Sequence, residues 1–123
     1  MSKLVTFPKQ GEIYQVYFNP KRGQEIGKLR PALVISNDTQ NQHDNHLVVL
    51  PLSSQIAKVR SFEVFINATP ENGLDQPSKI LIQRVRAIDK KLRLRDYVGL
   101  ADQETLKRVK AVWETIFNWE ILS

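Results

Sequence analysis

Two short runs of unbroken apolar residues constrain what this chain can fold into more than any other feature: "PALVIS" at 31–36 and "LVVLPLS" at 47–53, on either side of the polar run "NDTQNQHDNH". Each is too short for a core helix. Neither shows the alternation of a strand with one wet face. Both are therefore expected to be central strands buried on both faces.

The segments around them supply neighbours. "EIYQVYF" at 12–18 is rich in β-branched and aromatic residues and reads as a first strand, with Tyr14, Val16 and Phe18 on one face. Asn19 and Pro20 end it, and Gly23 and Gly27 mark a loop of about ten residues, long enough to expect a functional role. "SFEVFIN" alternates and predicts a half-exposed strand, with Phe62, Val64 and Ile66 on one face and Ser61, Glu63 and Phe65 on the other. "ATPENGLDQPSK" is a turn-rich connection, and "ILIQRVRAID" is one long strand or two short ones. From Asp102, a suitable N-cap, the period changes: Leu106, Val109, Trp113, Ile116 and Phe117 recur at helical spacing. Five or more short antiparallel strands and one amphipathic C-terminal helix predict a mainly β fold, a small curled sheet or barrel with the helix packed on it.

At 123 residues, a single domain spanning 1–123 is expected. If both faces of the apolar strands need cover in so small a chain, one helix falls short, and a second copy could supply the rest, making a homodimer. The formal charge of +5 favours an anionic partner, because net positive potential steers and retains polyanions. There is no cysteine, which removes disulfides, thiolate zinc sites and Cys nucleophiles and fits a reducing cytosol. The start "MSKLVTFPKQG" has no long apolar stretch, so neither a signal peptide nor a membrane anchor is expected, and the protein reads as cytoplasmic.

No G-x-S-x-G elbow, P-loop or G-x-G-x-x-G is present, and no cofactor is expected. His43 and His46 flank Asp44, but no third strong ligand stands near, so the run reads as a polar hairpin tip and no metal is assigned. The cations carry more. Lys21, Arg22, Lys28 and Arg30 cluster in one loop and its exit, and Lys58 with Arg60 form a second basic patch after Ser53 and Ser54. Such surfaces suit phosphodiesters, and they also serve solubility. Arg30 directly precedes Pro31 and a buried strand, so its backbone is anchored while its fork of donors suits a phosphoryl group. Ser53 ends the neighbouring apolar strand, a rigid mount for a hydroxyl, although a serine there also caps turns.

The segment "GEIYQVYFNPKRGQEIGKLRPALVISND", then "VVLPLSS" and "RAID", closely resembles the MazF/PemK type II toxins across nearly the whole chain. That resemblance implies an SH3-like barrel with a C-terminal helix, of the kind shared with the CcdB type of gyrase poison. It also implies a homodimer, a cognate antitoxin, and sequence-specific cleavage of single-stranded RNA without a metal. The family's catalytic pair, the arginine of its RP motif and the hydroxyl residue ending the next strand, falls on Arg30 and Ser53. The loop from Asn19 to Leu29 matches the segment that gates the RNA groove. RNA contacts are expected from Lys21, Arg22, Gln24, Glu25, Lys28, Ser54, Gln83 and Arg84.

The chain departs from the family at two places. Ser53 stands where threonine is common, and Gln83 and Arg84 stand where many members have an acidic residue followed by glutamine. The expected reaction is attack of a ribose 2'-hydroxyl on the adjacent phosphorus, with Arg30 stabilising charge on the non-bridging oxygens and Ser53 orienting. No histidine or carboxylate is expected at the site, so general-base help should be weak. The alternatives are a poison of a protein target on the same fold, and a chain that only binds RNA or its antitoxin.

Overall fold

The computed structural model describes residues 6–18 and 28–120. The two apolar runs become the centre of a seven-stranded sheet. β1 (Glu12–Tyr17) pairs antiparallel with β2 (Leu29–Val34), and β2 pairs with β3 (His46–Ser53) through Ala32↔Pro51, Leu33↔Leu50 and Val34↔Val49. β4 (Glu63–Ile66) and β5 (Ser78–Leu81) extend the sheet beyond β3, while β7 (Leu94–Leu100) pairs with the outer edge of β1.

One edge of β3 serves two partners in succession. Its first half pairs with β6 (Arg86–Asp89) through Leu47↔Ile88 and Val49↔Arg86, and its end pairs with β5 through Leu52↔Ile80 and Ser53↔Lys79. A strand that changes partner along one edge lies at a bend, and that bend curls the sheet. Among the described residues no ladder joins β4 to β7, so the sheet is curled but not closed.

Alternation along the strands creates two cores. Ile13, Leu33, Leu50, Leu52, Ile80 and Ile82 form one, covered by α3 (Gln103–Ile116) through Val109, Leu106 and Trp113. Asp102 caps that helix, its carboxylate accepting from Thr105 N at 2.7 Å. Val16, Phe18, Ala32, Val34, Leu47, Val49 and Ile88 form the second, and none is more than 1% exposed. The cover that these strands were expected to need from a second copy is thus supplied within one chain, by the curl itself.

Three expectations change, and one open choice is settled. The polar run is not a hairpin tip: Asn37 accepts from Gln40 N at 2.9 Å and starts a short helix, α1 (Asp38–His43). "ILIQRVRAID" is two strands, parted by a 3-10 turn at Ile82–Arg84. The following residues, for which no element was expected, form α2 (Lys90–Arg93), capped by Asp89, and then β7. Finally, Glu63 on β4 is buried rather than solvent-facing.

The connection from β4 to β5 packs against β7 through two glycines. Gly73 has φ +68°, and a Cβ on Gly99 would fall 2.3 Å from the Asn72 backbone. This contact, with Leu100 N donating to Glu71 O at 2.9 Å, fixes the wall of the cleft described next.

Candidate active site

Arg30 is the second residue of β2, opposite Val16 of β1. Carrying the Ala32↔Pro51 pairing on by two residues aligns Arg30 with Ser53, the last residue of β3. Residues so aligned on antiparallel strands project to the same face. Both line a cleft of about 470 Å3, together with Gln15, Ser54, Asp75 and Gln76.

The guanidinium of Arg30 is half-buried, and its Nε is fully buried with no hydrogen-bond partner among the described residues. Burial lowers its pKa, yet a guanidinium starts so far above neutrality that it keeps its proton. Among the described residues no carboxylate forms an ion pair with it. A desolvated, unpaired donor is costly to keep, which suits a group that meets an anion. Ser53 keeps its turn role, since its Oγ accepts from Gln55 N at 3.2 Å, while also facing the cleft.

The other expected residues divide by place. Ser54 is exposed on the cleft wall. Lys28 is exposed and left-handed at φ +63°, and its carbonyl accepts from Phe18 N at 2.8 Å, joining the two ends of the intervening segment. Lys21, Arg22, Gln24 and Glu25, with all of residues 19–27 in the segment expected to gate the groove, lie outside the described residues. Gln83 and Arg84 sit in the 3-10 turn and do not line this cleft.

Gln83 has a different engagement. Its Nε2 donates to Glu63 Oε2 at 3.0 Å, while Glu63 Oε1 accepts from Arg60 N at 3.0 Å and lies 3.2 Å from Lys79 Nζ. Burial alone would raise the Glu63 pKa; the hydrogen bonds from Arg60 N, Gln83 and Lys79 outweigh it and hold the carboxyl below its ordinary 4.5. Lys79 Nζ also donates to Lys58 O at 2.7 Å, so this buried pair ties down the basic stretch that follows Ser53. A carboxylate therefore does stand beside position 83, but it comes from β4.

Two residues escaped the sequence reading. Asp75 puts a carboxylate into the cleft, correcting the expectation that none would be present. Arg86, the first residue of β6, lays its guanidinium 5.4 Å from the centroid of the Phe18 ring. "RAID" was a visible signal for Arg86, but its place beside Phe18 depends on the curl of the sheet. At the far end, His46 Nδ1 lies 3.6 Å from Asp44 on an exposed surface. Among the described residues no group of three His, Cys, Asp or Glu side chains could hold a metal, and no helix is long and apolar enough to cross a membrane.

Comparison with known proteins converges on the same region of the chain. The model of a family described as PemK-like, MazF-like toxin of type II toxin-antitoxin system matches residues 9–117. Endoribonuclease MazF9 of Mycobacterium tuberculosis is 40% identical over 85 residues, 65% of this chain and 71% of that relative. Endoribonuclease EndoA of Bacillus subtilis is 35% identical over 102 residues, 82% of this chain and 86% of that relative. The crystal structure of MazF from Deinococcus radiodurans is similar with a TM-score of 0.80 and 26% identity, covering 94% of this chain and 100% of that one.

Proposed function

This chain belongs to the PemK-like, MazF-like family and is an endoribonuclease toxin of a toxin-antitoxin system, and from that premise we propose that Arg30 and Ser53 carry a metal-independent, sequence-specific cleavage of single-stranded RNA. The observation that carries the assignment is the buried Nε of Arg30, without a hydrogen-bond partner among the described residues, in a cleft shared with Ser53.

In the proposed reaction the 2'-hydroxyl of the ribose attacks the neighbouring phosphorus. The new bond is O2'–P, the broken one is P–O5', and the 2'-proton is exchanged for one on the departing oxygen. Arg30 binds the non-bridging oxygens more tightly as their charge grows, which is catalysis by preorganised donors. Ser53 orients the phosphate by hydrogen bonding. Asp75, the carboxylate on the cleft wall, takes the 2'-proton. Unpaired RNA is the substrate because an A-form duplex hides its base edges and holds the 2'-hydroxyl out of line.

Lys28 contributes charge at the rim, as Lys21, Arg22 and Arg84 do in this reading, and such phosphate contacts give affinity without sequence information. Gln24, Glu25, Ser54 and Gln83 complete the RNA-binding set. The cognate antitoxin is expected to lay an acidic, partly disordered segment over this basic surface, in a salt-sensitive association in the cytoplasm. A homodimer would draw on side chains that one chain leaves exposed, such as Tyr97 and Leu100 on β7, and sedimentation over a concentration range tests it.

The direct experiment incubates the purified protein with a long single-stranded RNA in excess EDTA. Cutting is expected, and a 2'-deoxy nucleotide placed at a mapped cut should abolish it there. Absence of cutting without added metal, or persistence at the deoxy position, contradicts the mechanism.

A further inference from the structure

Arg86 has no task in the reaction as derived so far. It stands on β6 opposite Val49 and projects to the face that carries Val16, Ala32 and Val49, which is also the face to which Arg30 and Ser53 project. Its guanidinium reaches Phe18, a ring with no exposed surface. Phe18 lies two residues past Val16, the partner of Arg30, so Phe18 and Arg30 are diagonal neighbours across the β1–β2 ladder, about 7 Å apart. The guanidinium of Arg86 thus ends beside Phe18, a diagonal neighbour of Arg30, on the side of the sheet to which Arg30 and Ser53 project, although neither Arg86 nor Phe18 lines the cleft itself.

The charge of Arg86 is uncompensated among the described residues. Among the described residues it forms no ion pair, and the acid at the other end of its own strand, Asp89, is occupied in capping Lys91 N and Leu92 N. Its guanidinium is instead drawn to the Phe18 ring. A guanidinium over a ring face is attracted by the ring's quadrupole while its N–H groups remain able to donate to an anion. Two half-buried guanidinium groups on one side of a sheet, neither held in an ion pair among the described residues, repel each other, and an anion that enters between them relieves that repulsion.

We propose that Arg86, braced on Phe18, is a second phosphate ligand of the cleavage site, holding together with Arg30 the phosphodiester backbone of the bound strand. This inference rests on the reading of Arg30 and Ser53 as an RNA-cleaving site. Its neutral competitor is a purely structural role, in which the stacked arginine only seals the second core.

Arg86→Gln separates the two, with binding measured on a single-stranded 2'-deoxy oligonucleotide carrying the parent's mapped cut sequence at several NaCl concentrations. A phosphate ligand predicts kcat/KM at least about tenfold lower and a salt slope of log Kd shallower by about 0.7, the value of one single-strand phosphate contact. Arg86→Lys should restore the salt slope by returning the charge, but kcat/KM only in part, since ammonium lacks the fork. An unchanged slope and unchanged kcat/KM in a folded Arg86→Gln protein overturn the proposal. If that variant does not fold, the Nε–Hε NMR resonance of Arg86 in the parent decides, because it must shift on addition of the same oligonucleotide, and a stationary signal overturns the proposal. A parent that cuts no RNA would sink the cleavage reading instead, and the salt slope and NMR shift, read then on a single-stranded 2'-deoxy oligonucleotide of mixed sequence, would still report on Arg86.

Discussion

Ser53 shows how one side chain serves two ends. Its Oγ accepts from Gln55 N and so shapes the turn that leaves β3, while it also faces the cleft with Arg30. Ser53→Ala should therefore lower kcat by about tenfold or more with little change in KM, whereas Ser53→Thr keeps the hydroxyl and should retain most activity. Equal rates for parent and Ser53→Ala would remove the serine from the mechanism. Asp75 offers a sharper test. If it takes the 2'-proton, Asp75→Asn should lose about 10²-fold in kcat/KM. A variant that keeps the parent's rate and changes only which sequences are cut would instead make Asp75 a reader of base edges. Arg30 and Ser53 were legible in the sequence because each abuts an apolar run that had to be a buried strand. Asp75 and Arg86 were not, since a turn-rich connection and a curled sheet bring them in from distant positions.

At the level of elements, hydrophobic pattern found what is buried and missed what lies at an edge. β2 and β3 were plain from continuous apolar residues, and α3 from the change of period and Asp102. β7 was not, because Arg95, Asp96 and Tyr97 are exposed on an edge strand and dilute its alternation. α1 and α2 are held by side-chain caps, Asn37 and Asp89, rather than by apolar periodicity. Glu63 misled for the opposite reason: a charge in an alternating strand reads as solvent-facing, yet its side chain is 2% exposed and paired with Lys79. Glu63→Gln should destabilise the fold by about 3 kcal/mol at neutral pH, because Lys79 is left without its counter-charge. The folded-state pKa of Glu63 is lowered, so its stabilisation is fully present above 4.5 and fades as pH falls through the lowered value. Parent and variant should then converge in acid, and a stability gap independent of pH would refute the ion-pair account. Gly99→Ala should cost about 1–3 kcal/mol in chemical denaturation, since the added methyl meets backbone that cannot retreat, and an unchanged midpoint would contradict the packing of the β4–β5 connection on β7.

At the scale of the whole molecule, a curled sheet brings two sequence-distant arginines to one face, and among the described residues neither is held in an ion pair. That imbalance matches the overall charge of +5 and gives it a location. The family's fold was visible in the order of its motifs, but the route to two full cores within one chain was not, because curl follows from β3 changing partner between β6 and β5. The central claim is that the guanidinium of Arg30 stabilises the charge formed as the phosphodiester breaks. Its most direct measurement is the single-turnover rate of RNA cleavage by Arg30→Ala, alongside its thermal melting curve. The account predicts a loss of about 10²-fold or more in rate with the melting temperature preserved. A folded Arg30→Ala protein that cuts RNA at the parent's rate would contradict it.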